Sequence, residues 1–541
     1  MPRKLFYTGA FLWVTVLAVL TAPAAAQLAD RAAQTAGVGD VLRHGQQLET
    51  ERRWGDALAA YEDALRQYPD ERSLERRFEF ARLHYDLSRR YNDSSFAENM
   101  QRLPAGEAFD LYGDVLLKIQ AHYVEAPDWK GLTERGMNDL VVALSEPAFL
   151  ARHVPPSSLG AIDAFCDELR RTIGERTINS RDDVREAVTV AARLAELRLS
   201  IPATPVVLEF TCGAMNALDP YSSYLTPNQL TEVYSQIEGN FVGLGVELKP
   251  QNGALLIVRV IPNSPAQESG IVAGDLIVAV DGAPTRSFSS DKAANLLQGA
   301  AGTSVGLTLV TPGREPRSVT VRRQKVEVPS IDEVHIVDSR NGIGYLKLVC
   351  FQKNTSHDLD TALWRLHGDG MRSLIVDLRG NPGGLLVSAV EVVNKFIDRG
   401  VVVTTRGRNV QEDFTYTARA EAIWQVPLVL IIDQDSASAA EIFAGAIRDH
   451  HRGTIVGVRS YGKGSVQGIF PLSYGNSGVR LTTARFYSPA GRPFVRVGVD
   501  PDILVHQTAK ALPAVAIAPA QDAMLTAAIQ AATPPSLSAA R

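Results

Sequence analysis

The chain has 541 residues, a formal net charge of −5, 45% hydrophobic residues and 21% charged residues. Such proportions belong to globular proteins, and the length exceeds one ordinary core, so about three or four domains are expected. The acidic balance excludes a broad basic field for nucleic acid.

The first residues read as an export signal. Arg3 and Lys4 give a positive start, Leu12 to Leu20 form an apolar stretch, and Ala24-Ala25-Ala26 offers a small-residue cleavage site before Gln27. The apolar run is shorter than the ~20 residues of a spanning helix, which favours cleavage over an uncleaved anchor. A signal peptide over 1–26 is expected, with a periplasmic or otherwise extracytoplasmic destination. Three cysteines, Cys166, Cys212 and Cys350, lie far apart without metal-like spacing. Their pairing is not legible, and they are read as small buried hydrophobes.

Residues 36–100 are predicted to be helical. Gly45, Leu48, Ala57, Tyr61, Ala64 and Pro69 fall where a tetratricopeptide unit places its small, aromatic and terminating residues. The segment E-R-R-W-G-D-A-L-A-A-Y-E-D-A-L-R-Q-Y-P resembles that family. One unit cannot bury its own face. The alternatives are a short repeat array or an amphipathic hairpin packed on the next domain, with a protein-partner role or a spacer role.

Residues 101–232 show apolar spacing of three and four, predicting helices. Arg181 to Leu199 is the clearest, with Ser180 as N-cap. The loop L-D-P-Y-S-S-Y-L-T-P follows, and Thr226-Pro227 opens another helix. Residues 233–326 alternate short strands with glycine turns, predicting a small β-rich domain that begins F-V-G-L-G-V-E-L. Residues 327–508 alternate buried strands and helices, an α/β layer structure. The Ala/Pro-rich tail, 509–541, carries one short helix near Asp522 to Ala531.

Three segments carry candidate chemistry, and each has a plain structural reading beside the functional one. S-A-A-E, starting at Ser438, is a capping box in which Glu441 reaches back. Alternatively, the buried strand 426–433 delivers Ser438 to a helix N-terminus, where the dipole and the Ala439 N–H favour an oxyanion. Ser436 competes with Ser438 on local sequence. Lys463 lies in a Gly-Lys-Gly turn that nearly matches a phosphate loop, but Gly464 follows it and a strand comes next, so nucleotide binding is rejected. In D-L-R-G-N-P-G-G, Gly383 and Gly384 permit a backbone that aims N–H groups at a ligand. His450-His451 point about 100° apart on a helix, so no metal site is expected there.

Six segments in order resemble the carboxyl-terminal processing, or tail-specific, serine proteases of peptidase family S41. They are L-D-P-Y-S-S-Y-L, the G-L-G-V domain, L-I-V-D-L-R-G-N-P-G-G, S-A-S-A-A-E-I-F-A-G-A, Y-G-K-G-S-V-Q and R-F-Y-S-P-A-G-R. The resemblance implies a multidomain α+β protein: a helical N-terminal region, a PDZ-like β-rich domain over 233–326 and an α/β protease core of the ClpP/crotonase-like type over 327–508. It implies an exported serine endopeptidase with Ser438 as nucleophile, Lys463 as base and Gln467 supporting the lysine, without cofactor or metal. The oxyanion donors fall on Ala439 and Gly383, and Asp449 occupies an acidic position read as structural. Gly243, Leu244, Gly245 and Val246 match the PDZ loop that holds a substrate's terminal carboxylate. The chain departs from the family pattern at Ala440, where a serine is usual, and at Gln298, where many members have arginine. A non-catalytic ligand- or protein-binding protein on the same scaffold is the alternative.

Overall fold

Tyr61 organises the first folded segment. The computed structural model describes residues 37–505 and 522–533, apart from 69, 252–253, 288–295, 298, 312 and 420–422. The expected signal peptide, Pro69, Gln298 and most of the tail therefore lie outside the described residues. Helices Val38–Thr50 and Trp54–Gln67 form a hairpin. It closes because Gly45 leaves room for the Tyr61 ring: a Cβ there would lie 2.2 Å from it. Leu74, Phe78 and Ala81 of a third helix, Arg72–Asn92, complete this small core. Leu87 and Tyr91 of that same helix belong to the next core. The hairpin is thus covered by a helix that continues into the protein body, which removes the need for further repeats.

The second layer is helical. Ala203–Asn216 is buried on every side from Thr204 to Met215, the pattern of a central helix. Its Glu209 accepts from Tyr91 Oη at 2.9 Å and pairs with Arg90. Trp129–Ala143 crosses it where Gly136 meets Gly213. Helix Arg181–Leu199 matches its expected bounds, with Ser180 and Asp183 forming a capping box. Pro227–Glu238 starts at the Thr226 cap, as expected. Cys166, Cys212 and Cys350 are free.

Among the described residues, the β-rich unit is one antiparallel sheet in which Val246–Gln251 lies at an edge, paired with Ala254–Val260. A ribbon of Asn240–Gly243 and Gln324–Glu327 joins this unit to the rest of the chain.

The α/β core holds a six-stranded sheet in the order Ile331–Asp338, Ile343–Leu348, Ser373–Asp377, Leu428–Ile432, Thr454–Gly457 and Ile503–Leu504. All pairings after the first are parallel. Ser373–Asp377 and Leu428–Ile432 are buried at every residue, as parallel strands covered on both faces require. Helices Thr355–Gly368, Leu386–Val393 and Ala439–Asp449 cover one face. Helix Ala523–Ala532 covers the other. A second sheet joins Ser223–Leu225, Gly478–Tyr487, Arg399–Gly407 and Phe414–Arg419, with Ser465–Pro471 also paired to Gly478–Tyr487.

The Gly136–Gly213 crossing gives a stability prediction. A Cβ on Gly213 would lie 2.5 Å from the Gly136 Cα, a backbone contact that no rotamer relieves. Gly213→Ala is expected to destabilise the helical layer by about 1–3 kcal/mol, the range for overpacking. Gly106→Ala, whose Cβ meets nothing within 4 Å, should not. Thermal denaturation of the two variants checks this.

Candidate active site

Parallel strands open a crevice at their carboxyl ends, where loops from neighbouring strands converge. Three adjacent strands do so here. Ser373–Asp377 leads into the N-P-G-G turn, Leu428–Ile432 into the Ser436–Ser438 loop, and Thr454–Gly457 into the Lys463 loop. Backbone bonds join the three: Ala437 N–H donates to Asn381 O at 2.9 Å, and Tyr461 N–H donates to Ser436 O at 3.0 Å.

The two candidate serines differ in what their hydroxyls do. Ser436 Oγ donates to Leu378 O at 2.8 Å and accepts from Asp433 N–H at 2.9 Å, so it clamps the turn. Ser438 immediately precedes helix Ala439–Asp449, with φ 57° and ψ −114°. That conformation is unfavourable for a residue with a Cβ, and such strain collects at reactive turns. Gly383, at φ +97°, is wedged against it: a Cβ on Gly383 would lie 2.7 Å from Ser438 Cβ and from Ala437 O. Only glycine permits both the backbone angle and the approach.

Glu441 does more than cap the helix. It is fully buried. One oxygen, Oε2, accepts from Ser438 N–H at 2.8 Å and from Lys463 N–H at 2.9 Å. The other, Oε1, accepts from Ser460 Oγ at 2.7 Å and from Gly462 N–H at 2.6 Å. One carboxylate thus binds the serine turn to the lysine loop. Burial raises its carboxyl pKa, while the four donors favour the anion. The sequence reading found the capping role alone, because the other partners lie beyond local spacing.

Lys463 is half-buried, and its ammonium is held below its ordinary value, at about 8. Burial is the main cause and Arg480 adds to it, against Glu441 and Asp219. Its Nζ lies 5.1 Å from the centre of the Tyr221 ring. Among the described residues, no hydrogen bond joins Nζ to Ser438 Oγ. Gln467 Nε2 donates to Ser465 Oγ at 2.9 Å and more weakly to Thr482 Oγ1 at 3.4 Å, so its amide hydrogens do not serve the lysine. Tyr221 and Arg480 were missed as part of the lysine's surroundings. The L-D-P-Y-S-S-Y motif signalled the first, and its geometry comes from Asp219. Asp219 Oδ1 accepts from the Tyr221 and Ser222 N–H groups at 2.8 and 3.0 Å and from Thr482 Oγ1 at 3.1 Å. Arg480 Nε then donates to Tyr221 O at 3.0 Å.

The remaining positions are placed as follows. Ala439 N–H occupies the first turn of the serine helix. Gly383 N–H donates to Asn381 Oδ1 at 2.8 Å, so this expected donor is engaged inside its own turn. Asp449 accepts from Ala490 N–H at 3.0 Å and pairs with Arg492, holding the S-P-A-G-R turn. Ala440 is buried among apolar side chains, where a serine hydroxyl would need a partner. Gly243, Leu244, Gly245 and Val246 lie at the start of the β-rich unit. There Gly245, at φ +82°, sits against Ser264, and the edge strand begins at Val246. No group of three or more possible metal ligands occurs among the described residues, and no helix among them is long and apolar enough to cross a membrane.

Comparison with known proteins fits this arrangement. Residues 342–505 match peptidase family S41, and residues 256–311 match a PDZ domain. A carboxy-terminal-processing protease of Bartonella bacilliformis is 36% identical over 301 residues, covering 54% of this chain and 68% of that one. The chain belongs to peptidase family S41. A carboxyl-terminal-processing protease of Synechocystis sp. is 34% identical over 294 residues, covering 53% of this chain and 68% of the relative. Among solved structures, a photosystem II D1 C-terminal processing protease aligns with a TM-score of 0.40 and 24% identity, over 79% of this chain and 98% of that one. This S41 chain is a serine peptidase of the carboxyl-terminal-processing type with a PDZ domain, acting on protein substrates, and the reading as a non-catalytic binding protein gives way to it.

Glu441→Gln tests the bridge in the S41 site. An amide presents one acceptor oxygen and an NH2 group, and the NH2 would face donors. The variant is expected to lose about 2–4 kcal/mol of stability, through unsatisfied buried donors, and most peptidase activity. Denaturant unfolding and a peptide cleavage assay measure the two.

Proposed function

We propose that the protein cleaves polypeptides near their C-termini with Ser438 as nucleophile and Lys463 as general base. The observation that carries this reading is the shared acceptor: Glu441 Oε2 holds both the Ser438 and the Lys463 amides. Two loops that are remote in sequence are thereby kept in one register. The committed hydroxyl of Ser436 supports Ser438 as the nucleophile.

In the proposed reaction, the Ser438 hydroxyl oxygen attacks the scissile carbonyl carbon while its proton passes to the neutral Lys463 amine. The transfer brings the lysine amine into hydrogen-bond contact with the Ser438 hydroxyl. The carbonyl oxygen becomes an oxyanion that accepts from the Ala439 N–H, favoured by the helix dipole. A second donor is Gly383 N–H, once it is released from Asn381. The lysine returns its proton to the leaving amine as the carbon–nitrogen bond breaks. Water, losing a proton to Lys463, then attacks the acyl carbon; the carbon–Oγ bond breaks, Lys463 passes that proton to Ser438 Oγ, and the product leaves with a new carboxyl terminus. Gln467 contributes its carbonyl oxygen, since its amide nitrogen is engaged with Ser465. No step calls for a metal or cofactor.

Substrate choice follows from the unpaired edge of Val246–Gln251. An extended tail adds there as a strand, with its carboxylate against the Gly243-Leu244-Gly245-Val246 loop. Residues 233–326 act as this receptor and 327–508 as the catalytic unit. The helical segment 36–100 offers a surface for a protein partner. The positive, apolar and small-residue run over 1–26 supports export, with action outside the cytoplasm.

Ser438→Ala and Lys463→Ala are each expected to lower kcat by about 10⁴-fold or more. Lys463→Arg should not rescue, because arginine stays protonated. A catalytic base with its pKa lowered to about 8 makes kcat/KM rise with pH through that value and level off above it. A profile flat from pH 6 to 10 would sink the lysine assignment. Amidating the C-terminus of a substrate peptide should weaken its binding, measured by fluorescence anisotropy on Ser438→Ala protein.

A further inference from the structure

We infer that Asp522, at the start of the C-terminal helix, is a positioning residue for the peptidase reaction. It lies outside the family match, which ends at residue 505. Helix Ala523–Ala532 packs Met524, Ala528 and Ala532 on Ile375, Val429, Ile431 and Val456, the back face of the sheet whose strand ends carry the site. Apolar docking alone would make the helix a cover. Its N-cap residue connects it to the chemistry.

The Asp522 carboxylate divides its two oxygens. Oδ1 accepts from Leu525 N–H at 3.0 Å and caps the helix. Oδ2 accepts from Arg379 Nη1 at 2.8 Å. Arg379 turns its other edge to Asp377: Nε donates to Oδ2 at 2.9 Å, and Nη2 donates to the same oxygen at 2.5 Å. Asp377 is buried and also accepts from Tyr345 Oη at 2.9 Å. The chain Asp522–Arg379–Asp377 therefore ends in the strand that leads into the N-P-G-G turn.

That turn carries Gly383 against Ser438. Its other ties run to the serine loop: Gly380 N–H donates to Asp433 Oδ1 at 3.0 Å, and Leu378 O accepts from Ser436 Oγ at 2.8 Å. Arg379 sits between Leu378 and Gly380, so it anchors the turn from behind while these bonds anchor it in front. Without Asp522, the guanidinium keeps Asp377 but loses its outer partner, and the turn gains freedom where an oxyanion donor must be fixed. Loosening of this kind lowers kcat more than substrate affinity, because small displacements of catalytic groups act on the transition state.

The inference rests on Ser438 and the Gly383 turn being the reacting site, and the experiment separates the two claims. Asp522→Asn retains a helix-capping oxygen and removes the charge; Asp522→Ala removes both. For full-length Asp522→Asn, kcat is expected to fall about tenfold, with KM within twofold of wild type and an unchanged melting temperature. A fluorophosphonate should label Ser438 about tenfold more slowly. Asp522→Glu, which restores the charge, should recover most of kcat. Wild-type kcat and labelling rate in Asp522→Asn would overturn the inference, as would a loss confined to Asp522→Ala, since that assigns the residue to capping alone. Absence of Ser438 labelling in the wild type would instead overturn the assignment of the site.

Discussion

A single buried carboxylate links the parts of this site. Glu441 enters the interior because helix Ala439–Asp449 is packed on all sides, and an isolated charge there would be costly. Four donors offset that cost, and they come from two loops: the Ser438 turn, and the 460–463 segment. The arrangement constrains in both directions. The donors keep the carboxylate satisfied, and the carboxylate keeps the loops together. Each loop follows a different strand of one parallel sheet, so the sheet sets the coarse spacing and Glu441 sets the fine one.

The same loops contain the strained backbone. Ser438 adopts a positive φ because the chain must turn from strand into helix within a few residues while Gly383 presses on its Cβ. Strain of about 1–3 kcal/mol persists only where the surroundings over-determine the conformation. Here the Glu441 bond to Ser438 N–H and the Asn381 bond to Ala437 N–H supply that determination. In this arrangement the Gly383 amide is held by Asn381, and the lysine amine is not bonded to the serine. The proposed reaction calls on both groups, and each is carried on a loop that follows a strand of the sheet.

Local sequence rules described the elements well where the decisive contacts were local. Ser180 and Asp183, Thr226 and Gln229, and Asp522 ahead of the tail helix are all side chains bonding within their own first turn. The strands 373–377 and 428–432 were legible because burial on two faces demands unbroken apolar runs. The engagement of the Ser436 hydroxyl was not legible locally, since its partner is Leu378 O, contributed by another strand's turn. For the same reason the sequence assigned Glu441 a cap and missed its three further donors. Tyr221 and Arg480 reach Lys463 only because Ser223–Leu225 pairs with Gly478–Tyr487, a contact between segments far apart in the chain. The N-terminal hairpin shows the converse. Its internal packing of Gly45 on Tyr61 was readable, but its cover, a helix shared with the next layer, was not.

The lysine's basicity follows from this long-range assembly. Burial lowers its pKa, Arg480 lowers it further, and Asp219 and Glu441 oppose them. Asp219 is itself committed to the Tyr221–Ser222 turn and to Thr482, so its charge is shared among donors. Glu441 faces the lysine loop through its backbone amide, where it positions the chain more than it neutralises the ammonium. The balance lowers the lysine to about 8, so the ammonium still predominates at neutral pH and the neutral amine gains as pH rises through that value. Tyr221 acts the other way, since an aromatic face attracts the cation. The Tyr221 ring thus favours the charged lysine, in opposition to burial and Arg480.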